Sequence, residues 1–212
     1  IGIQQFEENR LGDWIYVDKT AHIYNLVAGG KYFFLSRPRR FGKTLNMDML
    51  RVFFEKTDED TSVYFRDKKI WACGEEYRRY QGKYPDIYIT FKDVKFETWN
   101  DTYDMVTKIL RSEFQRHSEL LESERISPYD KKYLTQVLSG DANETDMAMS
   151  LLNLSRMLHE HHGVEPIIII DEYDTPIQQG HMLGYYDQVV GFMRILFSGG
   201  LKDNSHLSYG FL

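Results

Sequence analysis

Cysteine is nearly absent: Cys73 is the only one in 212 residues. An internal disulfide is therefore excluded, and the composition fits a reducing compartment. Long apolar runs are missing as well. None approaches the roughly 18 residues that a membrane-spanning helix requires. No charged-then-apolar leader opens the chain, so cytoplasmic location is the expectation. Excess positive charge is also lacking, with 26 Lys and Arg against 32 Asp and Glu. A net charge of -6 gives no general attraction to nucleic acid, so any such contact must rest on a local basic patch. That patch occurs around Arg37, Arg39, Arg40 and Lys43.

What is present is a globular composition, 42% hydrophobic and 15% aromatic, long enough for one substantial core. One domain over residues 1–212 is expected. Ile1 is not an initiator Met and Leu212 lies inside the apolar run YGFL, so a fragment is expected too.

Hydrophobic periodicity orders the chain. DWIYV at 13–17 reads as a short extended piece, followed by a helix to about Ala28 that Gly29 and Gly30 stop. KYFFLS at 31–36 reads as a strand and Lys43 to about Lys56 as a helix with a wide apolar face. Residues 57–85 read as partly helical surface. DIYITF at 86–91 is the next strand, followed by a long helix from about Thr98 to Ser123 and a short one opening at Pro128. Asn143, with Asp146 three residues on, caps a helix to about His162 that Gly163 ends. Residues 165–170 read as a strand apolar on both faces, which implies a parallel sheet covered on both sides. A helix from about Tyr185 to Leu196 and a strand from about Leu207 to Leu212 follow. Alternating strands and helices predict a doubly wound α/β sheet, mostly parallel, with helices on both faces.

Two segments carry chemistry. RPRRFGKT at 37–44 lies between a strand and a helix, with Gly42, Lys43 and Thr44 in the last three positions of the phosphate-loop (Walker A) pattern. Such a loop needs converging backbone N–H groups, a helix N-terminus behind them, a Lys for the β- and γ-phosphates and a hydroxyl for Mg²⁺. Arg37 stands where the pattern has its first Gly, and Pro38 biases it away from positive φ while offering no N–H. The donors must then come from Arg39, Arg40, Phe41, Gly42, Lys43 and Thr44, with Leu45 opening the helix. Arg39 and Arg40 can add bidentate charge. The bland alternative is a basic turn before an amphipathic helix.

The second segment is IIIIDEYD at 167–174. Its four Ile residues place Asp171 at the C-terminal edge of a buried strand, where ligands bind in open α/β sheets. There Asp171 can hold Mg²⁺ together with the Thr44 hydroxyl, and Glu172 can orient or deprotonate an attacking water. Adjacent Asp and Glu favour hydrolysis over phosphoryl transfer to a metabolite. Asp174 reads as a cap, with Thr175 and Pro176 starting a turn. His159, His161 and His162 sit in the last turn of a helix, where the dipole favours imidazolium, and are not read as metal ligands.

YVDKT at 16–20, RPRRFGKT at 37–44 and DEYDTPI at 171–177, in that order, resemble the AAA-ATPase-like domain family of bacteria and archaea. The resemblance spans nearly the whole chain, and the family likewise carries Arg where most phosphate loops carry Gly. It implies a P-loop ATPase of the additional-strand, catalytic-Glu type, with an added strand between the phosphate-loop and Asp strands. It implies ATP and Mg²⁺ as cofactors, Lys43 and Glu172 in catalysis, and Tyr16 and Val17 near the adenine. Asp18 and Lys19 are read as capping and pinning that segment.

Relatives in the family often continue into a nuclease-like C-terminal domain. The expected partners are therefore a nucleotide and a missing effector domain in cis, with nucleic acid engaged only through that domain or the Arg cluster, and no membrane. Residues after the last strand, where a polar sensor would touch the γ-phosphate, and any later arginine are missing as well. A non-hydrolysing, nucleotide-gated scaffold is the main alternative, and a nucleic-acid-binding module the lesser one.

Overall fold

A computed structural model describes residues 4–12, 14–35 and 41–212. The polypeptide builds an α/β fold around a small, wholly parallel sheet. Its opening elements are α1 (Phe6–Leu11), α2 (Ala21–Gly29), β1 (Tyr32–Phe33) and α3 (Lys43–Phe54). After a 3₁₀ turn over Thr61–Tyr64 come α4 (Lys69–Ala72), α5 (Glu75–Arg78), β2 (Asp86–Thr90) and α6 (Trp99–Arg116). The second half holds α7 (Pro128–Ser139), α8 (Glu144–Ala148), α9 (Ser150–His162) and β3 (Ile167–Asp171). It continues through α10 (Thr175–Leu183), α11 (Tyr186–Phe197) and β4 (Tyr209–Phe211).

The strands lie in the order β1-β4-β3-β2, so β4 separates β1, which precedes the Gly42 turn, from the strand that ends at Asp171. The Ile run explains why β3 is central. Alternate side chains point to opposite faces of a strand. Ile167 and Ile169 pack with Phe53, Phe54 and Phe211 in one buried cluster, and Ile168 and Ile170 pack with Ile87, Leu110 and Leu158 in the other. Both faces of β3 are thus covered, α3 lying in the first cluster and α6 and α9 in the second.

Two helix ends follow the capping residues expected of them, and a third carries a cap that the pattern did not mark. Asn143 and Asp146 form a reciprocal capping box on α8, Ser127 caps α7 with Pro128 behind it, and Gly163 ends α9 at φ 68. Other boundaries differ from the periodicity. The long helix expected to Ser123 stops at Arg116, and a 3₁₀ turn over Ser118–Glu122 replaces its end. The helix expected from Asn143 to His162 is two, broken at Met149. Phe6–Leu11 and Thr175–Leu183 are helices that periodicity did not mark, and residues 14–19 form no strand.

Charged side chains interlock where the helix ends at His117. Its ring Nε2 donates to the Asp86 carbonyl at 2.9 Å and lies 3.6 Å from Glu113, while Nδ1 is 3.5 Å from Glu119. Arg116 binds the Asp86 carboxylate with two nitrogens at 3.1 Å, the Asp86 carbonyl at 2.8 Å, Glu113 at 2.6 Å and Glu55 at 3.2 Å. Glu113 in turn accepts the Tyr88 N–H at 2.8 Å, so the outer edge of β2 is partly covered by a side chain.

Burial alone would lower the His117 pKa, but the hydrogen bonds to Glu113 and Glu119 outweigh it and raise it to about 9. Burial likewise opposes Glu113 ionisation, yet His117 and Arg116 bring that carboxyl down to about 2. Because the folded-state pKa of His117 lies above its ordinary 6.5, its contribution is complete below that pH and is lost as pH rises through about 9. Urea denaturation between about pH 6 and pH 10 should show stability falling by at most roughly 3 kcal/mol through this group. His117→Gln should flatten that decline, and equal slopes in the two proteins would contradict the ion-paired histidine.

Candidate nucleotide site

The chain enters α3 through a left-handed residue. Gly42 has φ 71, a conformation that costs other residues strain, and it stands at the N-cap with no side chain capping the helix. The first helical hydrogen bond runs from the Asn46 N–H to the Gly42 carbonyl at 3.1 Å. The N–H groups of Lys43, Thr44 and Leu45 precede it and have no intrahelical partner. Asn46 also donates its side-chain amide to the Gly42 carbonyl at 2.5 Å, which clamps the turn. Three donors without an intrahelical partner, at the positive end of a twelve-residue helix, form an anion-binding arrangement.

Asp171, fully buried at the last position of β3, meets this turn. The Thr44 hydroxyl donates to Asp171 Oδ2 at 2.8 Å across 127 positions of sequence. Lys43 Nζ lies 3.4 Å from Asp171 Oδ1 and 4.0 Å from Glu172 Oε1. A buried carboxylate needs hydrogen-bond donors or a cation around it, and these contacts, with the Glu172 N–H at 3.0 Å, supply them. The hydroxyl and carboxylate form a hard oxygen pair that suits Mg²⁺, so the residues present fit that ion.

Glu172 is the only non-glycine among the described residues with positive φ, at 55. Such a backbone is uncommon outside Asn, Asp and Gly and persists only where its surroundings impose it. Two contacts hold it: its carbonyl accepts the Thr175 N–H at 3.0 Å, and its carboxylate accepts the Thr175 hydroxyl at 3.4 Å. The side chain remains 35% exposed, turned toward Lys43. Asp174 serves its own helix, accepting from Gln178 at 2.6 Å.

The structure therefore brings Gly42, Lys43, Thr44, Asp171 and Glu172 together. Leu45 stands at the same helix start, half-buried against the α3 side of the core, and Phe41 is exposed beside it. Arg37, Pro38, Arg39 and Arg40 lie outside the described residues. Tyr16 is a packing residue here. Its ring meets Phe6 edge-on at 5.4 Å, its hydroxyl donates to Met49 Sδ at 3.3 Å, and burial raises its pKa to about 12. Val17 is 70% exposed.

Two features escaped the sequence reading. A cavity of about 340 Å³ opens beside Thr44, lined among others by Asp48, Arg51, Tyr88, Thr90 and Arg116. Thr90 is the register partner of Asp171, so parallel pairing of two readable strands was the signal that could have located it. The other is Lys19, whose Nζ lies 3.8 Å from where a β-carbon on Gly42 would sit. The histidines at the end of α9 are otherwise engaged: His159 faces His206 at 3.1 Å and His161 binds Ser123 at 2.8 Å. Among the described residues, no group of three or more His, Cys, Asp or Glu side chains is placed to hold a metal.

Comparison with known proteins bears on this geometry. The AAA-ATPase-like family, described as "Predicted AAA-ATPase", matches residues 1–212. The chain belongs to this family. It is also 31% identical over 178 residues to a protein of Azotobacter chroococcum mcd 1, described as "Uncharacterized protein in vnfD 5'region". That match takes in 84% of this chain but only 29% of the relative's length. No solved structure matches the chain. Membership of an AAA-ATPase-like family supports nucleotide binding.

Proposed function

We propose that this domain binds Mg·ATP at the Gly42–Thr44 turn and hydrolyses it, driving an effector domain carried by the longer protein. One observation carries the reading: the Thr44 hydroxyl and the Lys43 ammonium both converge on the buried Asp171 carboxylate, at 2.8 and 3.4 Å. A chance basic turn has no reason to meet the tip of the central strand. Support also comes from β4 lying between β1 and β3, the order implied by the additional-strand class of doubly wound P-loop ATPases.

In this reading the polyphosphate lies against the N–H groups of Lys43, Thr44 and Leu45, with Phe41, Gly42, Arg39 and Arg40 completing the loop. Lys43 leaves its contact with Asp171 to neutralise the β- and γ-phosphates. Thr44 and Asp171 would hold Mg²⁺, which would neutralise charge developing on the phosphates. Glu172, held at its unusual φ with its carboxylate exposed, orients and deprotonates the attacking water. The exposed Val17 offers apolar surface to the base, whereas the Tyr16 ring is taken up by the core.

Contact with nucleic acid is assigned in this reading to the effector domain or to the Arg cluster of the loop. Among the described residues no helix is long and apolar enough to cross a membrane. Saturating Mg·ATP should raise the melting temperature of the domain, and no shift at millimolar nucleotide would contradict the proposal.

A further inference from the structure

Lys19 is held in place by its neighbours rather than by its own charge. Asp18 Oδ1 accepts the Thr20 N–H at 2.9 Å and the Thr20 hydroxyl at 2.7 Å, and its Oδ2 accepts the Lys69 N–H at 2.9 Å. The Thr20 oxygen, fully buried, accepts the Ile70 N–H at 3.1 Å. Asp18 and Thr20 thus satisfy the free N–H groups at the start of α4, which has no cap of its own. The Lys19 N–H is also in contact with the Tyr16 hydroxyl at 3.4 Å. The backbone on both sides of Lys19 is fixed, so the direction of its side chain is set.

That side chain runs to the phosphate turn. Its Nζ lies 3.8 Å from the β-position of Gly42, the same distance from that point as the Asn46 amide nitrogen. Lys43 and Lys19 are therefore two ammonium groups at the positive end of α3. Lys43 has Asp171 and Glu172 opposite it. Lys19 makes no ion pair or hydrogen bond through its ammonium among the described residues. Asp18, its closest carboxylate in sequence, is committed to Thr20 and Lys69. A cation with no partner among the described residues, beside three N–H donors that lack an intrahelical acceptor and a helix N-terminus, is electrostatically unfavourable until an anion arrives. Its three ammonium donors then gain acceptors they otherwise lack.

We infer that Lys19 is a second phosphate-binding lysine, reaching the polyphosphate beside Gly42, with Asp18 and Thr20 as the positioning residues that preset it. The inference rests on the nucleotide reading of the Gly42–Thr44 turn, and it assigns to the DKT segment a part beyond capping. Phosphate held by lysines from two separate segments would also tie the stretch before α2 to the loop whenever nucleotide is bound.

The test compares Lys19→Gln, Lys19→Arg and Lys43→Ala with the parent, by titrating Mg·ATP and Mg·ADP and by melting each protein without nucleotide. Lys19→Gln should weaken nucleotide binding about tenfold while leaving the nucleotide-free melting temperature unchanged or slightly raised, because its ammonium pairs with nothing among the described residues and sits at the positive end of α3. Lys19→Arg should recover most of the affinity. Unchanged affinity in Lys19→Gln, alongside lost binding in Lys43→Ala, would overturn the inference and leave the nucleotide site standing. Unchanged affinity in both would remove the nucleotide reading itself. A lower nucleotide-free melting temperature in Lys19→Gln would make Lys19 a structural pin and equally overturn the inference.

Discussion

Lys43→Ala should abolish the stabilisation that Mg·ATP confers. At nucleotide about a hundredfold above Kd, linkage gives the parent about 2.7 kcal/mol, a rise of roughly 5–10 °C for a domain of this size. The variant should shift by less than about 1 °C, because it loses the cation meant for the β- and γ-phosphates. The comparison must be of shifts, not of absolute melting temperatures. Lys43 also faces Asp171 at 3.4 Å, and Asp171 is fully buried. Among the described residues, removing the ammonium leaves that carboxylate with the Thr44 hydroxyl and the Glu172 N–H, so the nucleotide-free variant should itself melt lower. Equal nucleotide responses in the two proteins would show that the turn is not a phosphate loop.

Glu172→Gln should separate binding from turnover. A positioned general base contributes about 10²–10⁴-fold, so ATP hydrolysis should fall by at least about a hundredfold while ATP affinity changes little. Gln keeps the size of the side chain and an oxygen able to accept from Thr175, so the backbone at φ 55 should be undisturbed. Steady-state phosphate release and equilibrium nucleotide binding read the two quantities. A parent that binds ATP but releases no phosphate would have no turnover to lose, and would favour the nucleotide-gated scaffold. Equal rates in parent and variant would take Glu172 out of the reaction.

How much of this was legible before the structure depends on the range of each interaction. Ile167 to Ile170 read correctly as a strand buried on both faces, because four branched apolar residues fit no half-exposed element. The caps at Asn143, Ser127 and Gly163 are local, and the sequence pattern marked two of them. By contrast, α10 was hidden because Thr175 and Pro176 read as a turn, although Pro in the first turn of a helix costs nothing and fixes a helical φ. The short helix α1 owes its place to a distant residue, Asp48, which accepts the Phe6 N–H at 2.6 Å.

At the site, the motif residues were readable as chemistry, but their meeting was not. Thr44 and Asp171 are brought together only by the sheet order, in which β4 intervenes. Lys19 is the clearest case of a long-range effect. The segment 18–20 does cap and pin, as its Asp and Thr suggest, but it caps α4, about fifty residues on, and leaves the Lys19 ammonium at Gly42. The network of Asp86, Glu113, Arg116 and His117 was invisible for the same reason, since Arg116 and Asp86 are 30 positions apart.

The most direct test is a crystal structure of the domain with Mg²⁺ and a non-hydrolysable ATP analogue. The account predicts phosphate density against the N–H groups of Lys43, Thr44 and Leu45, with the metal between the Thr44 hydroxyl and the Asp171 carboxylate. Nucleotide bound elsewhere, or a Thr44–Asp171 hydrogen bond unchanged with no metal beside it, would contradict it.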